Sequence, residues 1–195
     1  MTRIFRRIAV YCGSSNNVAD TYKDAARELG ILLAKSGIAV VYGGGNVGLM
    51  GICADAALAA GGDVIGVIPH KLEDLEVGHT GLTEKIVVDS MHARKMVMAS
   101  LSDAFIAMPG GFGTMDELVE ITTWNQLGYH QKPAGVLNVR GYFDSFLAFV
   151  RHAGEEGFIR PIHRGLLVDA ETPPALLDAL QTQEMPDLTK WLERP

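Results

Sequence analysis

The sequence predicts an α/β protein, a Rossmann-like parallel sheet of about seven strands with helices on both faces. Three observations point there. Short apolar runs alternate with longer stretches of helical periodicity. The runs are continuously apolar, as strands covered on both faces must be. Glycine-rich segments fall directly after several of them, where an open α/β sheet turns into its helices.

Residues 8–12 read as the first strand, and Gly13-Ser14-Ser15-Asn16-Asn17 follows as a loop. A helix over 20–35 comes next, with Ala25, Ala26, Leu29, Leu32 and Leu33 at helical spacing and Gly37 as its stop. The second strand, 38–42, runs into Gly43-Gly44-Gly45-Asn46-Val47-Gly48 and an Ala-rich helix over 48–60 that ends at Gly61-Gly62. Strands over 64–68 and 85–88 flank a polar stretch too irregular for a helix of any length. A helix over 91–101 and a fifth strand at 104–108 lead to Pro109-Gly110-Gly111-Phe112-Gly113-Thr114 and a helix over 115–127. Strands at 134–137 and 166–168 and helices over 142–155 and 173–180 complete the pattern. No internal repeat, low-complexity tract or long linker divides the chain, so residues 1–195 are expected to form one domain.

The chain has 195 residues, 48% of them hydrophobic and 21% charged, enough apolar content for a substantial core and too much for intrinsic disorder. Its 17 basic and 23 acidic residues give a net charge of −6, which disfavours non-specific attraction to nucleic acid or an anionic membrane. Cys12 and Cys53 show neither CxxC nor Cys/His spacing, so neither a disulfide framework nor a zinc cage is expected, and a reducing compartment fits. There is no export h-region or bilayer-length apolar run, and the expected location is the cytoplasm.

Ligands in such sheets bind beyond the carboxyl ends of the strands, so the three glycine loops are where chemistry is sought. Gly43, Gly45 and Gly48 match GxGxxG between a strand and a helix. The acid that a dinucleotide site wants at the next strand end is missing, since that strand closes Val67-Ile68-Pro69-His70. Glu73 and Asp74 follow soon after, so the dinucleotide reading is weakened and stays open. The Pro109 loop opens a helix whose unpaired N–H groups and dipole suit a phosphate. It lacks the Gly-Lys-Ser/Thr ending of a P-loop. Thr114 and Glu117 also fit a capping box, in which they would merely satisfy backbone donors. A functional reading needs cations to offset Asp116 and Glu117, and Arg94 and Lys95 are available.

Met91, Arg94, Met98 and Leu101 share helical spacing, so Arg94 lies on an apolar stripe and there needs an anion. A structural Arg–Glu pair or a snorkelling side chain is the alternative. His70 and His79 fit no familiar metal-ligand spacing and read as solvated loop residues. No Ser-His-Asp or Cys-His arrangement can be drawn.

Pro109-Gly110-Gly111-Phe112-Gly113-Thr114-Met115-Asp116-Glu117 resembles the PGGxGTxxE motif of the LONELY GUY (LOG) family, and Met91-His92-Ala93-Arg94-Lys95 resembles its second signature. Cys12-Gly13-Ser14-Ser15, Tyr42-Gly43-Gly44-Gly45, Gly48-Leu49-Met50-Gly51, and Leu137-Asn138 with Gly141-Tyr142-Phe143 are similar too, so the likeness covers most of residues 8–150. The resemblance implies a cytokinin riboside 5′-monophosphate phosphoribohydrolase, releasing an adenine-type base and ribose 5-phosphate from a nucleoside 5′-monophosphate, AMP included. It implies Arg94 and Glu117 as the catalytic pair. It implies a substrate-binding set of Glu76, Arg94, Lys95, Gly110, Gly111, Phe112, Gly113, Thr114, Met115, Asp116, Glu117 and Thr123, with the phosphate against Gly111 to Thr114. A homodimer is implied; the reaction requires no cofactor and no metal, and the net charge and the lack of a bilayer-length run lead to the expectation of neither nucleic acid nor membrane as partner. Some relatives carry an older lysine decarboxylase label, which would require a pyridoxal phosphate Schiff base, and no lysine here stands in a context for one. A non-catalytic nucleotide or cofactor carrier on the same fold is the competing reading, because glycine loops bind phosphate without doing chemistry.

Overall fold

In a computed structural model of the chain, the described residues are 2–73 and 78–186. Seven strands form one sheet in the order β4-β3-β2-β1-β5-β6-β7, with every pairing parallel. They are β1 (Arg7–Tyr11), β2 (Ala39–Tyr42), β3 (Val64–Pro69), β4 (Glu84–Val88), β5 (Ala104–Ala107), β6 (Ala134–Leu137) and β7 (Leu167–Ala170). The helices are α1 (Asp20–Lys35), α2 (Gly48–Ala59), the one-turn α3 (His70–Glu73), α4 (Met91–Leu101), α5 (Phe112–Gln126), α6 (Asp144–Glu155) and α7 (Pro173–Thr182).

Side chains along a strand point to alternate faces, and β1 shows the consequence. Ile8 and Val10 pack with Leu29 and Leu33 of α1, Leu49 and Ala54 of α2 and Leu176 of α7. Ala9 and Tyr11 pack on the other face with Met98 of α4, Leu118 and Ile121 of α5 and Phe143. Both faces are therefore apolar, which is why the strands read as unbroken runs. The α1–α2 contact is close enough that a β-carbon on Gly30 would strike the Cys53 carbonyl. Among the described residues no helix is long and apolar enough to cross a membrane.

The differences from expectation lie at element ends. α5 starts at Phe112 rather than residue 115, and α6 starts at Asp144 rather than 142 because a 3₁₀ turn, Val139–Gly141, precedes it. The polar stretch after β3 holds the single turn α3. The functional consequence of the topology is a switch point: the chain winds outward from β1 to β4, then returns to the far side of β1 as β5. The loops after β1 and β5 diverge there and leave a crevice.

Candidate active site

The crevice is a cavity of about 340 Å³ lined by Gly13, Ser14, Ser15, Tyr22, Pro109, Gly110, Gly111 and Tyr142, with Val18 and Leu49 completing it. Its two loops interlock, since the Gly13 amide donates to the Pro109 carbonyl at 3.1 Å. A β-carbon on Gly110 would strike the Thr114 hydroxyl and the Gly13 nitrogen, so this residue must be small. Gly111 is the N-cap of α5 and has no side-chain cap, and the first helical bond runs from the Met115 amide to the Gly111 carbonyl at 3.1 Å. Thr114 is thus inside the first turn and buried. It is not an N-cap, and the capping-box alternative for Thr114 and Glu117 does not form. The amides of Phe112, Gly113 and Thr114 precede the first helical bond and face the crevice end of the helix, where the dipole favours an anion.

Arg94 is held on α4, whose N-cap Ser90 accepts from the Ala93 amide at 3.1 Å. The side chain is only 8% exposed. Nε donates to the Val67 carbonyl, inside β3, at 3.1 Å and Nη2 to the Gly43 carbonyl, just after β2, at 2.9 Å. It neither snorkels nor forms an ion pair within 4.0 Å among the described residues. Instead it is a fixed cation with a long-range influence on Glu117. Burial pushes the Glu117 carboxyl up to about 7, the Arg94 guanidinium pulls against that rise, and Asp116 adds to it. The charge of Glu117 is also felt at Tyr11 and Cys12, the last residues of the first strand run, whose own shifts are led by burial. The charge of the acid therefore reaches the carboxyl end of β1.

Lys95, one position on, is committed elsewhere. Its ammonium lies 3.1 Å from Asp116 and 3.0 Å from Glu120. Burial lowers its pKa, but hydrogen bonds to Glu120 and Asp116 prevail and the pKa is raised. The offset expected for the carboxylates is thus shared, with Lys95 paired to Asp116 and Arg94 the larger of the two cationic influences on Glu117. Phe112 is exposed, and Met115 packs against the second core cluster. Thr123 is exposed, its hydroxyl donating to the Val119 carbonyl at 2.8 Å, and it borders a separate depression beside Phe146 and Phe149. Within this chain Thr123 is not brought to the crevice. Glu76 lies outside the described residues.

The GxGxxG loop is already filled. A β-carbon on Gly43 would overlap the Arg94 guanidinium. The His79 amide donates to the Gly44 carbonyl at 2.8 Å, and Gly45 bridges to Gly78. At the start of α2 the Gly48 amide donates to Asn16 Oδ1 at 2.8 Å and the Leu49 amide to the Gly13 carbonyl at 2.9 Å. The donors that a pyrophosphate would use are consumed by the β1 loop, which answers the dinucleotide reading. His79 belongs to this latch: Nδ1 accepts from the Gly81 amide, so Nε2 carries the proton and donates to Asp55 at 2.9 Å. His70 lies 3.7 Å from Asp89.

Two contributors to the crevice are given no site role by the sequence. Tyr22 and Tyr142 meet edge to face at 5.7 Å, and the Tyr142 hydroxyl donates to the Gly110 carbonyl at 2.6 Å. The available signal is positional, because Gly141-Tyr142 follows a strand on the same sheet edge as the glycine loops.

Fold and site together define an α/β protein with a ligand crevice at the β1/β5 switch point, an uncapped glycine-led helix start and a half-buried acid under the influence of a fixed guanidinium. Residues 50–180 match a family described as "Possible lysine decarboxylase". The chain is 51% identical over 177 residues to the rice "Probable cytokinin riboside 5′-monophosphate phosphoribohydrolase LOGL9", covering 91% of this chain and 78% of that protein. It is 50% identical to the Arabidopsis thaliana "Cytokinin riboside 5′-monophosphate phosphoribohydrolase LOG1", over 91% of this chain and 83% of the relative. The chain belongs to this family, among its LOG members. The fold is shared with the molybdenum cofactor binding protein of Rippkaea orientalis, at 24% identity and a TM-score of 0.70 over 93% of this chain and 98% of that one.

The lysine decarboxylase description would imply pyridoxal phosphate on a lysine. The residues do not fit that group. Among the described residues no lysine lines the crevice, and Lys95 is clamped as a cation by two carboxylates, the opposite of the neutral amine that Schiff-base chemistry needs.

Proposed function

We propose that the protein hydrolyses the N-glycosidic bond of nucleoside 5′-monophosphates, cytokinin riboside monophosphates and AMP, to the free base and ribose 5-phosphate. The observation that carries the reading is the half-buried Glu117 carboxyl, raised to about 7 chiefly by burial and influenced by an Arg94 cation that the Val67 and Gly43 carbonyls hold in place. The ~50% identity to phosphoribohydrolases supports it.

In this reading the substrate phosphate lies against the amides of Gly111, Phe112, Gly113 and Thr114, with Gly110 giving it room and Met115, Asp116 and Lys95 fixing the helix turn behind it. Binding the phosphate holds the ribose in place, so remote binding lowers the barrier at the anomeric carbon. As the C–N bond breaks, positive charge develops on the sugar. The Glu117 carboxylate stabilises it and positions the attacking water. Water supplies hydroxide to the sugar and, overall, a proton to the departing base. Arg94 favours the ionised form of Glu117 across the reaction.

A homodimer belongs to the same proposal, with Glu76 and Thr123 completing the nucleotide contacts. Phe112, Val119, Thr123 and Leu127 recur at helical spacing on α5 and the residue after it, and all are exposed. Light scattering at micromolar concentration should report twice the chain mass, and a monomer would count against this part. The protein is placed in the cytoplasm, acting as one domain.

The deciding experiment is incubation with AMP and with isopentenyladenosine monophosphate, followed by chromatography. Release of base and ribose 5-phosphate supports the reading. Calorimetric binding of these nucleotides without product would favour the carrier instead.

A further inference from the structure

We infer that Tyr142 is a positioning residue for the phosphate: its hydroxyl draws the Gly110 carbonyl aside, so that the β5 loop offers the anion amides and no oxygen. This rests on the proposed function and assigns that site a residue drawn from the sixth strand's turn.

An anion site made of main chain must solve one problem. Each amide it offers comes with a carbonyl whose oxygen repels the same anion. The carbonyls of Gly13, Pro109 and Gly110, three of the residues that line the crevice, are each engaged. The Pro109 oxygen accepts from the Gly13 amide at 3.1 Å, and the Gly13 oxygen from the Leu49 amide at 2.9 Å. These come with the packing of the loops. The Gly110 oxygen is bound instead by a side chain 32 residues away, at 2.6 Å. A trans peptide points its carbonyl and the following N–H in opposite directions, so fixing the Gly110 oxygen also aims the Gly111 amide.

The turn that delivers Tyr142 is built for rigidity. Asn138 accepts from the Phe143 amide at 2.7 Å, donates to Asp144 at 2.8 Å, and bonds the Ala170 carbonyl through its own amide at 2.8 Å. Arg140 sits at φ 54, a conformation that non-glycine residues rarely adopt, and Gly141 at φ 70 faces the Asp144 carboxyl where a β-carbon would clash. Such local strain persists where surrounding contacts over-determine it, and here it ends in one hydroxyl on one carbonyl of the crevice. The ring itself is fixed without that hydroxyl, by edge contacts to Tyr22 at 5.7 Å and Phe143 at 5.1 Å.

The test compares wild type, Tyr142→Phe and Tyr142→Ala, using calorimetric titration with ribose 5-phosphate and with adenosine, steady-state kinetics on AMP, and thermal melting. Tyr142→Phe should weaken ribose 5-phosphate binding and raise KM for AMP roughly five- to tenfold, the loss of one hydrogen bond's worth of organisation. kcat should change less than KM, adenosine binding should stay level, and the melting temperature should hold. Tyr142→Phe binding ribose 5-phosphate as tightly as wild type would overturn the inference. So would an equal loss of adenosine and ribose 5-phosphate binding with a lowered melting temperature, the mark of a plain structural tie. Full rescue of Tyr142→Ala by the phenylalanine ring would do the same. If wild type neither cleaves AMP nor binds ribose 5-phosphate, the proposed function fails and the inference with it. If wild type does both and Tyr142→Phe equals it, the inference alone falls.

Discussion

The guanidinium of Arg94 occupies the space that a side chain on Gly43 would need, and its Nη2 donates to the carbonyl of that same glycine at 2.9 Å. A cation from α4 is thereby seated on the carboxyl end of β2, and its charge reaches Glu117 on α5. Gly43 is needed here for the room it leaves rather than for a turn.

Gly43→Ala therefore places a methyl group in the Arg94 seat. The guanidinium must swing out, and turnover of AMP is expected to fall roughly tenfold or more, the cost of misplacing one charged group by about 1 Å. The fold should survive, since Gly43 is not among the positive-φ glycines. Circular dichroism and kinetics on one preparation check both halves.

Arg94→Lys keeps the charge but loses the planar fork that satisfies the Val67 and Gly43 carbonyls together. Activity should drop by roughly 10- to 100-fold, as the loss of about 1.5–3 kcal/mol in charge-assisted bonds implies. A more mobile cation also supports the Glu117 anion less. The acidic midpoint of the kcat/KM profile should move to higher pH, and an unmoved midpoint would separate Arg94 from Glu117.

Glu117 titrates near 7, raised from 4.5 chiefly by burial. The reactive form is the carboxylate, so kcat/KM should climb about tenfold per pH unit below 7 and level off above it. The stability effect has the opposite sense. A carboxyl whose folded pKa is raised binds its proton more tightly in the folded state, so it costs nothing below 4.5. The cost grows as pH rises from 4.5 to 7 and is complete above 7. Glu117→Gln should accordingly be more stable than wild type at pH 8, by on the order of 2 kcal/mol, with the gap closing toward pH 4.5. Urea denaturation at the two pH values measures it.

Gly30→Ala tests the packing that carries the site. A methyl group there would meet the Cys53 carbonyl, a backbone atom that cannot turn aside. α1 and α2 must part, at a cost of roughly 1–3 kcal/mol. Well below the melting transition, AMP turnover should hold, because neither helix supplies a reacting group.

The sheet was legible because parallel strands buried on both faces leave continuous apolar runs, and a run such as 104–108 has no competing interpretation as a solvated strand. Arg94 was legible for a related reason, as a charge on the stripe of Met91, Met98 and Leu101. The start of α5 was not, because Thr114 and Glu117 satisfy the local spacing of a cap while Gly111 is the true N-cap. Local pattern cannot choose between them. The pairing of Lys95 with Asp116 and Glu120 spans two helices, and that of Tyr142 with Gly110 spans two strand ends. Contacts made only by tertiary closure leave no periodic trace in sequence, and these set the electrostatics of the crevice.

The account depends on the Glu117 carboxylate acting at the sugar, and the most direct measurement is single-turnover hydrolysis of AMP by Glu117→Gln beside calorimetric binding of AMP. The expected result is binding close to wild type with the chemical step slowed at least 100-fold, a loss of about 3 kcal/mol in the transition state. Hydrolysis by Glu117→Gln at the wild-type rate would contradict it.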